Sequence, residues 1–236
     1  MNAQIIYDYQ MDSTNGDPVY RDVPPPGPIW LTDLLGREYF VEVYSVAVDG
    51  PQVTDETIAL IAKLPNIELV TFTDAKITDG GLVHFARMHN LEAVSLRSDQ
   101  LTGAGLVHLR GLKRFKTLIV KGFATDAALE HISKLNDLEV LQIYGTAQIT
   151  DKGLAQIAKL RNLQTLCLGS YRTGPVRPED WMKVTDDGLA NLYALKNLEF
   201  LKLNTTQVSQ AGIDKLQKVL SNCKIEWNPK APNDSR

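Results

Sequence analysis

Apolar residues in this chain fall into a recurring column pattern. From Leu189 they continue at Leu192, Leu195, Leu198, Leu201 and Leu203, and the same offsets run from Leu82 through Phe85, Met88, Leu91, Val94 and Leu96. Steps of three suit the inward stripe of a helix, and the closing step of two suits a strand, whose side chains alternate between faces. Each unit is therefore expected to be a helix, a short connection and a strand. A six-residue motif opens each unit: VTDETI (53–58), ITDGGL (77–82), LTGAGL (101–106), ATDAAL (124–129), ITDKGL (149–154), VTDDGL (184–189) and VSQAGI (208–213). Successive starts differ by 24, 24, 23, 25, 35 and 24 residues. One such unit cannot bury its stripe alone, so the repeat predicts stacked units sharing one core.

The second motif position is always a hydroxyl: Thr54, Thr78, Thr102, Thr125, Thr150, Thr185 and Ser209. An oxygen there can accept a hydrogen bond from an orphan N–H of the first helical turn. Asp follows at 55, 79, 126, 151 and 186, favourable beside the positive end of a helix dipole. The Thr-Asp pairs read as caps of their own helices rather than as catalytic dyads. Parallel strands joined by helical crossovers are expected to wind right-handed.

The pattern LxxLxL…(I/V)TDxGLxxLxxLxNL resembles the leucine-rich repeat. It is most similar to the helical form of about 24 residues seen in F-box and ribonuclease-inhibitor-like proteins and in many bacterial proteins. The resemblance covers roughly residues 30–228. It implies an α/β solenoid, a right-handed horseshoe with a parallel sheet on the concave face and helices on the convex face. The chain departs from the pattern at LTGAGL and VSQAGI, which lack the Asp, and at Asn222, where a core leucine is expected.

Both ends of such a stack need covers. Running the columns backward places Val48, Val46, Val43, Phe40 and Leu34 in frame. Residues 29–52 are thus a degenerate capping unit, with Trp30, Leu31 and Leu35 available to close the core. Residues 1–28 read as a hairpin, signalled by Asn15-Gly16, followed by the stiff PPPGP spacer at 24–28. The repeats occupy 53–228, with Ile225 and Trp227 inward on the last strand, and 229–236 read as a disordered tail. The layout YDYQ…PPGPxWL is similar to that of bacterial leucine-rich-repeat proteins, in which a membrane anchor can precede the equivalent tyrosines. That resemblance leaves the compartment open between cytoplasm and the soluble part of an anchored protein.

A formal charge of −3 over 236 residues gives no basic footprint for nucleic acid. No apolar run reaches the roughly 20 residues of a membrane helix, so direct membrane insertion is not expected. Cys167 and Cys223 show no metal or redox spacing. No GxSxG, HExxH, Walker or GxGxxG motif is present. His84, His108 and His131 repeat one position on successive helices, about 8–10 Å apart, too far to share a zinc. They read as solvated residues, His89 as a turn residue, and Cys167 as an exposed concave-face thiol. The chain is expected to be no enzyme, with no catalytic residue, metal or cofactor.

Alternation lays out the concave face. It begins small and polar and gains Ile119, Val140, Gln142, Tyr144, Phe200 and Lys202 toward the C-terminus, with Arg97 and Lys121 as column neighbours able to hold a partner's carboxylate. The interval of 35 residues arises from an 11-residue addition at GSYRTGPVRPEDWMK, 169–183. Additions of this kind map to loops beside one face, and Tyr171, Arg172, Arg177 and Trp181 are types enriched at binding hot spots. The other role for this segment is that Tyr171 and Trp181 fold back and seal the stretched junction. The expected function is a monomeric scaffold binding a protein or peptide through this face and loop. The runner-up is a structural spacer or ectodomain with no tight concave-face ligand.

Overall fold

The computed structural model describes residues 2–7, 43–145, 148–169 and 181–228. Among them one sheet runs in chain order from β1 to β9. Its strands are β1 (Asn2–Tyr7), β2 (Val43–Asp49), β3 (Leu69–Thr73), β4 (Ala93–Arg97), β5 (Thr117–Lys121), β6 (Val140–Tyr144), β7 (Thr165–Gly169), β8 (Phe200–Leu203) and β9 (Lys224–Trp227). β1 pairs antiparallel with β2, and every later pair is parallel and one unit apart. This is the stack of helix–strand units expected from the columns, and the α/β leucine-rich-repeat solenoid that the resemblance implied. Units are numbered here by motif, unit 1 beginning at Val53 and unit 7 at Val208.

The columns meet in register. Val70, Val94, Leu118, Leu141, Leu166, Leu201 and Ile225 form one ladder, and the helix stripes pack beneath it in one continuous core. A step of three is the period of a 3₁₀ helix, at 3.0 residues per turn. Units 2 and 3 accordingly use 3₁₀ segments, Gly81–Arg87 and Ala104–Leu109, while unit 6 changes from α to 3₁₀ at Ala190. Unit 7 carries an α-helix over Gln210–Val219. Its longer period moves the stripe to Leu216 and Leu220, and Cys223, 3% exposed, takes the leucine position. Asn222 is simply exposed, which corrects the frame drawn from steps of three.

The motif aspartates act differently from the expectation. Each reaches the next unit instead of its own helix. Asp55 accepts the N–H and hydroxyl of Thr78 at 2.8 and 2.7 Å, Asp126 those of Thr150, Asp151 those of Thr185, and Asp186 those of Ser209. Asp79 accepts from Thr102 N–H and hydroxyl and from the N–H of Gly103 and Gly105. Burial, the largest influence on this carboxyl, works to raise its pKa; those hydrogen bonds together outweigh it and hold the value below the ordinary one. The hydroxyls of Thr78, Thr102, Thr125, Thr150 and Ser209 do cap as expected, for example Thr125 Oγ1 accepting from Ala128 N–H, whereas that of Thr185 makes no such bond. A β-carbon at Gly81, Gly153, Gly188 or Gly212 would overlap the carboxylate arriving from the preceding unit. The motif is thus a rung between neighbours.

At the N-terminal end Val46 and Val48 are buried and Val43 packs on the core. β1 covers the sheet edge by pairing along β2. The expected turn at Asn15-Gly16, Phe40, Leu34, the closing set Trp30, Leu31 and Leu35, and the tail 229–236 all lie outside the described residues.

Candidate functional site: the outer sheet face

Side chains that alternate away from the core form three columns on the face opposite the helices. One holds Leu69, Ala93, Thr117, Val140, Thr165, Phe200 and Lys224; the next holds Thr71, Ser95, Ile119, Gln142, Cys167, Lys202 and Glu226. The third runs Thr73, Arg97, Lys121, Tyr144 and Gly169. Arg97, Ile119, Lys121, Val140, Gln142, Tyr144, Phe200 and Lys202 are all half-buried. The ladder brings these eight residues onto one face in the expected register.

Of the two column neighbours expected to hold a partner's carboxylate, Arg97 is already engaged within the chain: its Nε lies 3.0 Å from Asp74 Oδ1. Asp74 sits just past β3 at a φ of 51°, in the turn position that Gly50, Gly122 and Gly145 also occupy with positive φ. Lys121 beside it has no carboxylate partner among the described residues. A cleft of about 400 Å³ opens at this end of the strands, lined by Asp74, Lys76, Arg97, Ser98 and Lys121 among others. Toward the other end Glu226 bridges Lys224 at 2.8 Å and Lys202 at 3.6 Å, and Lys224 Nζ stands 5.6 Å from the Phe200 ring centre. The bond from Lys224 leads the influences that lower the Glu226 pKa.

Cys167 is on this face but is not exposed. It is 4% accessible, and its in-register neighbours are Gln142 and Lys202. Burial pushes its thiol pKa up, against the opposing pull of the Tyr144 hydroxyl and Lys202. Tyr144 donates to Gln142 Oε1 at 3.1 Å, and burial beside Cys167 pushes its own pKa up to about 12. Its neighbour on β7 is Gly169, so no side chain stands beside the ring on that strand. A buried, hard-to-ionise thiol is the opposite of an activated nucleophile. His84, His108 and His131 are half-exposed, and no group of three or more metal-ligating side chains is found among the described residues.

At the stretched junction, Tyr171, Arg172 and Arg177 lie outside the described residues. Trp181 is half-buried, while Met182 is fully buried and donates its N–H to Thr205 O at 2.8 Å. Lys183 then donates to Ile149 O. Within the described part, the junction is closed by Met182 more than by the tryptophan.

Asp74, Lys224 and Glu226 join this face and were missed in the sequence. Glu226 and Lys224 follow by alternation from the inward Ile225 and Trp227 of β9, a strand on which the outer face was not laid out. Asp74 carried a usable signal, its alignment with the glycines that end neighbouring strands.

No protein-family model and no curated protein matches the chain. Among solved structures it is similar to internalin C2 of Listeria monocytogenes, at 21% identity and TM-score 0.48, over 79% of this chain and 81% of that one. An internalin F of the same organism is similar at 18% and 0.42, over 73% and 57%. A leucine-rich-repeat protein of Leptospira interrogans is similar at 17% and 0.38, over 70% and 50%. This chain therefore spans about half the length of the latter two. By its own repeat, register and core, its architecture is a leucine-rich-repeat solenoid.

Proposed function

We propose that the chain is a non-catalytic scaffold that binds a protein or peptide on the outer sheet face from β4 to β9, with the 169–183 segment alongside. One observation carries the reading: Ile119, Val140, Tyr144 and Phe200 stay half-exposed on a face whose backbone groups are already paired in the ladder. Such a surface presents side chains alone, so recognition rests on an aromatic and aliphatic centre flanked by Arg97, Lys121 and Lys202. Aromatic anchors with a charged rim match the anatomy of interface hot spots.

The test is cross-linking capture on immobilised protein, with cross-linked positions mapped by mass spectrometry. Tyr144→Ala, Phe200→Ala and the pair Arg97→Glu with Lys121→Glu should each abolish capture at unchanged melting temperature. Unchanged capture by all three overturns the sheet-face reading and leaves the spacer role.

A further inference from the structure

Two side-chain ladders tie neighbouring units together, and both are interrupted at the same junction. The first is the aspartate rung. It joins units 1 to 2, 2 to 3, 4 to 5, 5 to 6 and 6 to 7. Unit 3 has Gly103 in the aspartate position, so no rung leads to unit 4. The second ladder uses the asparagine shortly before β4, β7 and β8. Asn90 donates to Pro65 O, Asn162 to Asn136 O and Asn197 to Arg161 O. Unit 3 substitutes Arg114, which binds back to Glu92 and Glu68 of the two preceding units. Unit 4 substitutes Asp137, which cannot donate.

Three further observations fall on this junction. The backbone link that joins Lys76 to Val53, Lys183 to Ile149 and Gln207 to Val184 has no counterpart from Phe123 to Leu101 among the described residues; at the 2–3 junction, which also lacks it, the Ser98 hydroxyl bridges instead, donating to Ile77 O and accepting from Gln100 N–H. A cleft of about 220 Å³ lies between Leu109–Leu112 with Phe115 of unit 3 and Lys134–Leu138 of unit 4. Gly103, Gly111 and Gly122 all sit at a φ of 95°. What remains across the junction is the β5–β6 ladder with the flanking bonds from Gly122 N–H to Tyr144 O and from Glu139 and Val140 N–H to Lys116 O, the apolar core, and the half-buried Lys116, whose Nζ reaches Glu139 at 3.0 Å and Asp137 O at 3.3 Å.

We infer that the solenoid is two stiff blocks, units 1–3 and units 4–7, joined at a soft seam between units 3 and 4 where it flexes and opens first. In a solenoid stability is a sum of unit and interface contributions, so the interface lacking both ladders is the weakest link. The seam lies between β5 and β6 and separates Arg97, Ile119 and Lys121 from Val140, Gln142 and Tyr144, so flexing there alters the spacing of the outer face.

Native-state hydrogen exchange on the whole chain tests this, read amide by amide. The N–H of Leu129 at the seam, bonded to Thr125 O, should exchange at least tenfold faster than that of Leu154 at the 4–5 junction, bonded in the same way to Thr150 O. Asp137→Asn supplies the missing donor, facing Lys113 O by analogy with Asn162 on Asn136 O, and should slow exchange at the seam alone. Equal protection at the two junctions in the wild-type chain overturns the inference, as does slowing by Asp137→Asn that spreads evenly over all units.

Discussion

The inter-unit rung makes a sign-reversing prediction at Gly188. Asp151 Oδ1 and Oδ2 hold the Thr185 N–H and hydroxyl at 2.8 and 2.7 Å. A β-carbon on Gly188 would overlap that same carboxylate, so Gly188→Ala must push Asp151 off its partners. Hydrogen bonds to a charged group contribute about 1.5–3 kcal/mol each when buried. Asp151 is half-exposed, so water replaces part of each, and the rung is worth about 2–3 kcal/mol in all. Alanine in a helix returns about 0.5–1 kcal/mol over glycine. The net loss is about 2 kcal/mol, or roughly 4–8 °C in melting temperature for a chain of this size.

Asp151→Ala alone should lose about 2–3 kcal/mol, because it orphans the Thr185 N–H. With the carboxylate gone, the nearest remaining atom is the β-carbon of residue 151 at 3.1 Å, a tight contact that a shift of a few tenths of an ångström relieves. Gly188→Ala on that background should therefore stabilise, by about 0.5 kcal/mol. Urea unfolding of the four variants closes a double-mutant cycle with a coupling of about 2.5 kcal/mol. Additivity within about 0.5 kcal/mol would refute the steric and hydrogen-bonding account together, since contacting residues of one rung cannot behave independently.

Other predictions are shorter. The Asp79 carboxyl titrates below its ordinary value of 3.8 in the folded chain, so its contribution is present above about pH 4 and is lost as pH falls through the lowered folded value. The urea midpoint should fall less between pH 5 and pH 3 in Asp79→Asn than in the wild type (about two pH units, spanning the shift), and parallel profiles would count against it. Burial pushes the Cys167 thiol up, and that of Cys223 up to about 11, so neither should react with a disulfide reagent at neutral pH in the folded state. Tyr144→Ala should accelerate Cys167 at least tenfold and leave Cys223 alone; fast labelling of both in the wild type would contradict the burial. Asn222→Leu should change stability by less than about 0.5 kcal/mol, as surface substitutions do, whereas Cys223→Ala should cost about 1–2 kcal/mol by opening the core. The reverse ranking would restore the frame read from steps of three.

What was legible in the sequence was whatever repeats with a fixed period. The inward columns, the register of β2 to β8 and the eight described residues of the outer face all follow from one offset rule. The rule failed in unit 7, because an α-helix of 10 residues replaced the short segments used elsewhere and shifted the frame by one. That single residue hid the packing of Cys223, while the frame recovered on β9, where Ile225 and Trp227 pair as expected with Leu201 and Leu203. Cys167 failed for another reason: alternation says which face a side chain takes but not what lies over it, and half-buried Tyr144 comes from a neighbouring strand.

The aspartates show a subtler limit. Reading each motif as a self-contained cap explained Thr and Asp but left the fifth-position glycine without a cause. Compared between successive units, the two positions move together. Gly81, Gly105, Gly153, Gly188 and Gly212 each follow a unit bearing Asp, at 55, 79, 126, 151 and 186. Where unit 3 has Gly103 instead, unit 4 has Ala128 in the glycine position, and a β-carbon on Gly103 would approach the Ala128 β-carbon to 2.7 Å. Either the carboxylate or the methyl group occupies that space between units, and the chain never places both there. The coupling is visible only when position three of one motif is aligned with position five of the next, because the physical unit of the solenoid is the interface rather than the repeat.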